Sequence, residues 1–134
     1  MRQFIPVAAF ALWLGAIPGV SHAESAAAPV TDCDRLAGTT TDPDNVGGHY
    51  VVLEQIKSAE AVAACTQALA LYPESRRLMF QLGRAHDAGK NATEAYRWYR
   101  KSAELGSPAA QYNLAVSYQE GEGVAQDYDQ ALHW

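Results

Sequence analysis

Apolar and polar residues follow three successive patterns along this chain of 134 residues. Residues 4 to 20, FIPVAAFALWLGAIPGV, are apolar throughout and carry no charge. Residues 31 to 50, TDCDRLAGTTTDPDNVGGHY, show no period and are rich in Asp, Thr, Gly and Pro, which predicts loop with one helical turn around Cys33 to Ala37. VVLEQI, residues 51 to 56, predicts a short extended lead-in. From Ser58 to the end, apolar residues recur every three or four positions, the period of a helix with one buried face.

Start and stop signals divide that last stretch. Ser58 as N-cap and Tyr72-Pro73 as terminator predict a helix from Ala59 to Leu71, with Ala61, Cys65, Ala68 and Leu69 facing inward. A second helix runs from Arg76 to Ala88, capped by Ser75 and stopped by Gly89 as the C′ residue. Asn91 with Glu94 three residues on has the form of a capping box and opens a third helix that reaches Leu105. Ser107-Pro108 opens a fourth, with proline at N1, ending near Glu120 at Gly121. The connections are short, so consecutive helices are expected to be antiparallel neighbours.

The second and fourth helices are copies. Ser75, Phe80, Leu82, Gly83 and Gly89 correspond to Ser107, Tyr112, Leu114, Ala115 and Gly121 at one constant offset, and Ala95 and Trp98 of the third helix correspond to Ala131 and Trp134. The second unit is longer only in its GEGVAQD turn. A period in the thirties built from two helices is that of a solenoid, in which each hairpin buries its face on the next. The final copy, beginning near Tyr128 and reaching Trp134, is short of a full second helix, so the last repeat is expected to be incomplete.

These residues resemble a known family. SPAAQYNLAVSYQEGEGVAQDYDQALHW is similar to a Sel1-like repeat, and LMFQLGRAHDAGKNATEAYRWYRKSAELG resembles the same family with a shorter turn, nearer to a tetratricopeptide repeat. CDRLAG and AAC also look like the cysteine-bearing segments that precede such repeats in exported bacterial proteins. The resemblance implies an all-α, right-handed superhelix of antiparallel hairpins, lacking the end of its last hairpin and begun by a loop-rich cap. Gly83 and Ala115 would then let helix backbones approach, Gly121 and Gly123 would supply positive φ in the turn, Val124 would plug the hairpin base and Asp127 would cap the last helix. Trp98 and Trp134 would fill the space between successive hairpins.

Composition adds a compartment. Arg2 ahead of the apolar run, and Ser21-His22-Ala23 with small residues flanking a cut, predict a cleavable export signal over residues 1–23 and a periplasmic or secreted product starting at Glu24. The proline-broken run is a poorer transmembrane anchor, so the membrane enters only through export. Residues 24–57 become leader and cap, and residues 58–134 the repeat domain. In an oxidising compartment an even cysteine count more often means a disulfide than a metal site, so Cys33 and Cys65 are expected to pair; two separately buried thiols are the alternative. Net charge is −5, but residues 76–101 hold seven Lys and Arg against two acids, while residues 104–129 hold five acids and no Lys or Arg. Opposite signs on adjacent modules favour head-to-tail stacking, including self-association at the open C-terminal end, and disfavour nucleic acid as a partner.

Candidate chemistry is sparse. His49, His86 and His133 have no companions at metal-site spacing, so neither metal nor cofactor is expected, and His86 reads as a packed or groove-lining residue. YRWYRK has the aromatic and basic mixture of single-strand binders, yet Ala95, Trp98, Ser102 and Leu105 share one helical face and Arg97, Arg100, Lys101 and Glu104 another, as core plus solvated surface requires. Some cysteine-rich relatives with this repeat are associated with β-lactam binding or hydrolysis, but no Lys follows a Ser at the three-residue spacing that a serine acylase needs. Asp42 and Asp44 flank Pro43 as turn residues do. The expected function is an exported interaction scaffold, not an enzyme, binding a protein or peptide on a concave face that includes Arg77, Gln81, Arg84, Asn113, Ser117 and Tyr118. The alternatives are a small cell-wall or β-lactam hydrolase, or a regulatory module of a longer enzyme.

Overall fold

The computed structural model describes residues 28–134, so the expected export signal and its cleavage site lie outside the described residues. Six helices follow one another: α1 (Asp32–Ala37), α2 (Ser58–Leu71), α3 (Arg76–Ala88), α4 (Ala92–Glu104), α5 (Pro108–Glu120) and α6 (Tyr128–His133). Each packs on the next as a hairpin, and α1 also reaches α3, so the all-α repeat architecture is the observed one. Among the described residues no helix is long and apolar enough to cross a membrane.

Local chemistry sets most boundaries. Ser75 and Ser107, both buried, accept from the N–H groups of Leu78 and Ala110 at equivalent helix starts, and Asp127 accepts from Asp129 and Gln130 to start α6. Asn91 accepts from Glu94 N–H, but Glu94 turns to Arg97 instead of completing a box. Two expectations change at the first repeat. VVLEQI contains a 3-10 turn, Leu53–Gln55, within the expected extended lead-in, and Ser58 is not the N-cap of α2. Ser58 is the first residue of the helix and donates its hydroxyl to Ala85 O on α3, a tertiary bond that leaves Lys57 at the N-cap position without a side-chain cap.

Gly89 is also different from its sequence reading. Its φ is −79°, and the left-handed residue after α3 is Lys90, at φ 60°. Gly89 still terminates α3, and a Cβ there would collide with Ser58 Oγ, so the approach of α2 adds a second constraint at this position. Gly121 and Gly123 do hold positive φ, at 71° and 73°, and a Cβ on Gly123 would strike the carbonyl of Ala92, which seats the longer turn against the start of α4.

Two apolar clusters correspond to the two hairpin interfaces. Ala61, Cys65, Leu69, Leu78, Leu82 and Ala85 form the first with Cys33 and Ala37, and half-buried Trp98 packs against it. Phe80, Ala95, Tyr99, Ala103, Ala110 and Leu114 form the second, against which Trp134 packs in the same register. Leu82 and Leu114, at 1% and 0% exposure, are the repeated anchors, each worth about 2–3 kcal/mol of transfer free energy. Gly83 serves a side chain where a helix backbone was expected: a Cβ there would lie 2.6 Å from two carbons of the Tyr99 ring. Tyr99, not Trp98, is thus the buried ring of α4. The half-buried indole of Trp98 carries Lys101 Nζ 4.1 Å from its centroid.

Candidate functional site

The N-terminal cap lies on α3. Cys33 of α1 and Cys65 of α2 form a disulfide, and both residues are fully buried. A disulfide in this position suits an oxidising compartment. The loop that α1 opens then runs across the α3 face that the sequence offered to a partner.

Three side chains of α3 grip it. Arg77 pairs with Asp34 and donates from Nη2 to Ala28 O at 2.7 Å, while Gln81 Nε2 donates to the same Asp34 oxygen at 2.9 Å. Asp34 in turn accepts from the N–H and hydroxyl of Thr31. Arg84 donates to Ala37 O, Gly38 O and Val51 O at 2.6–2.8 Å, and burial pulls its pKa down from the usual guanidinium value. Arg77, Gln81 and Arg84 are 0%, 1% and 7% exposed. They contact the protein's own cap and present no open surface, because a Cys33–Cys65 staple and a buried ion pair hold that cap in place.

A second grip lies at the edge. Arg76 forks onto both oxygens of Asp44 at 2.6 and 2.8 Å and donates to Gly106 O at 2.9 Å, tying the cap to the α4–α5 turn. Asp42 Oδ1 accepts from Asp44 N–H, as a turn residue does, but its Oδ2 has no hydrogen-bond partner. Burial raises the Asp42 carboxyl to about 6, against the opposing pull of the Asp44 N–H and of Arg77 and Arg76. Three of the seven cations counted in residues 76–101 are therefore spent inside the chain, as Arg76, Arg77 and Arg84. That internal use weakens the positive module that the sequence set against its acidic neighbour and leaves Lys90, Arg97, Arg100 and Lys101.

The open part of the groove lies beyond the cap. A cavity of about 250 Å³ is lined by Leu53 at the cap edge, Arg84 and Asp87 of α3, Ala95 and Tyr99 of α4, and by α5 and its turn. The α5 contributors are Tyr112, Asn113, Val116 and Ser117, with Glu122 beyond them. Tyr99 donates a long hydrogen bond to Asp87, and its phenol is held far above the usual range, first by burial and then by the Asp87 charge. Of the six residues expected to read a partner, Asn113 and Ser117 line this groove, and Arg84 borders it while bonded to the cap. Tyr118 does neither: its ring meets Tyr96 edge-on at 5.6 Å and the two hydroxyls lie 2.9 Å apart, on the side facing α4. That hydrogen bond, before burial, raises the Tyr118 pKa.

Tyr112, Val116, Asp87 and Glu122 were not among the sequence candidates. Tyr112 corresponds to Phe80 and so reads as core, yet Phe80 is 3% exposed against the Tyr99 ring and Tyr112 is 70% exposed at the groove rim. His86 is half-buried, and burial lowers its pKa. Among the described residues no three His, Cys, Asp or Glu side chains converge on a metal position.

Residues 77–107 and 108–134 each match the Sel1 repeat family. The two matched units meet between Ser107 and Pro108, the start of α5. No curated protein and no solved structure matches the chain.

Proposed function

From the premise that residues 77–134 are Sel1 repeats, a module that generally mediates protein interactions, we propose that this protein is an exported adaptor that binds a protein or peptide in the groove between α3 and α5. One observation carries the reading. The α3 half of the groove already holds another segment of this chain, the cap, through side-chain bonds to the carbonyl oxygens of Ala28 and Ala37 and to the Asp34 carboxylate of α1. The α5 half keeps the same helix orientation and remains open. A partner segment lying there would continue the path that the cap begins.

The proposal assigns the protein no turnover. Among the described residues, Tyr99 and Asp87 are the only titratable pair at hydrogen-bond distance in the groove, and a buried phenol held protonated beside a carboxylate supplies no nucleophile at neutral pH. Affinity capture from a periplasmic extract tests the reading. The purified protein should retain a partner that a Val116→Glu, Asn113→Ala variant releases, and it should leave a nitrocefin-type reporter intact. Equal capture by the variant, or hydrolysis of the reporter, would overturn it.

A further inference from the structure

Comparing equivalent positions of the two groove helices indicates what the open half accepts. At the constant repeat offset, Arg77, Gln81 and Arg84 of α3 correspond to Ala109, Asn113 and Val116 of α5. On α3 the two arginines recognise a carboxylate and a row of carbonyl oxygens. On α5 both cations are replaced by small or apolar side chains, and only the amide position is kept. The open half has lost the groups that received an acidic, carbonyl-rich segment.

In their place stand two carboxylates and an aromatic rim. Asp87 and Glu122 line the cavity, and neither pairs with a cation among the described residues. The Asp87 carboxylate accepts only the 3.4 Å bond from Tyr99. Tyr112 stands exposed at the rim, and Val116 and Ala95 line the apolar wall. Arg84 also reaches the cavity, but the residue is 7% exposed and its guanidinium is committed to three cap carbonyls. About 250 Å³ is below the usual range for a drug-sized ligand and suits a single long side chain. A cation on an aliphatic stem matches every part: methylenes against Val116 and Ala95, the charged head between Asp87 and Glu122, and the Tyr112 face within cation–π reach.

We propose that the open half of the groove binds an extended peptide segment through one lysine or arginine side chain seated between Asp87, Glu122 and Tyr112. The proposal rests on the adaptor reading above and specifies the chemistry of its partner. It inverts the charge preference of the α3 half, so a chain entering the groove next to the cap would be selected for a basic residue.

The test titrates the protein, with its disulfide formed, with three capped glycine–serine peptides that differ only in a central Lys, Gln or Glu, followed by amide-resolved NMR. The Lys peptide should shift Asn113, Val116, Ser117 and Glu122 and bind more weakly as salt rises. Glu122→Gln, in an exposed turn, should weaken it by roughly threefold, the scale of a partly exposed ion pair. Val116→Arg, which restores on α5 the cation present at Arg84, should abolish Lys binding and admit the Glu peptide, and its unchanged spectral dispersion would show that it folds. Equal shifts of the same residues by all three peptides would overturn the charge preference while leaving the groove as a peptide site. Shifts confined to other surfaces, or none with any peptide, would overturn both.

Discussion

Arg77 and Asp34, forty-three residues apart in sequence, form an ion pair in which neither side chain has any exposure to solvent. One belongs to the first Sel1 repeat and the other to the cap, so this pair fixes where the repeat array begins. Gln81 and Thr31 complete the shell around the carboxylate.

Removing one partner leaves a buried charge without its counterion. Arg77→Met is expected to lower unfolding free energy by about 3–5 kcal/mol, whereas Arg77→Met combined with Asp34→Asn should recover a large part of that loss. Urea denaturation of the two variants decides it. Equal losses in the single and double variants would mean that the charge itself is unimportant.

The Gly83 and Tyr99 fit makes a different prediction. Gly83→Ala places a methyl against the Tyr99 ring and should cost about 1–3 kcal/mol by overpacking, even though alanine is the better helix former. In a Tyr99→Leu background the same substitution should cost much less. Thermal melts of the four proteins in the cycle measure the coupling, and additivity would refute the contact.

Asp42 should make stability depend on pH in an unusual direction. Its folded value of about 6 lies above the ordinary 3.8, so between those limits the folded chain binds a proton that the unfolded chain has released. The contribution is therefore most favourable below 3.8, declines as pH rises through the window, and is fully lost above about 6. Asp42→Asn keeps the acceptor for Asp44 N–H and should stabilise the protein at pH 7 by about 1–2 kcal/mol, with little gain at pH 3.5. Denaturation midpoints of both proteins across that range test it; a gain that is constant with pH would exclude titration as its source.

The Cys33–Cys65 bond closes a sequence separation of 32 residues. Replacing both cysteines by alanine should lower stability by about 3–4 kcal/mol on the chain-entropy model. Hydrogen exchange should rise first at Gly38 and Val51, whose backbone groups bond each other across the cap. An unchanged midpoint would show that the ion pairs alone hold it.

Helix boundaries were legible wherever the signal was local. Ser75, Ser107 and Asp127 cap helices by bonds to residues two or three positions away, and the repeat of Leu82 at Leu114 reflects one buried face met twice. Ser58 was misread as a cap, and the second role of Gly89 beside its helix stop was missed, because a hydroxyl on α2 and a glycine at the end of α3 share one point of contact. No periodicity encodes a meeting between residues so far apart. Trp98 drew notice by size, yet the ring at the hairpin centre is Tyr99, admitted by the missing side chain of Gly83.

By itself, then, the sequence determined the helices, their order and their doubling, since all of these follow from period, caps and composition; it favoured a Cys33–Cys65 bond over two separate thiols, and the structure decided between them. The tertiary structure alone decided which face of each groove helix is open. Arg77, Gln81 and Arg84 have the character of a binding surface, and they do bind, but their ligand is the Asp34 carboxylate and the carbonyls of the same chain. A helix with two polar faces gives no local sign of which one a distant segment will cover; that depends on where the disulfide and Asp34 bring the cap to rest.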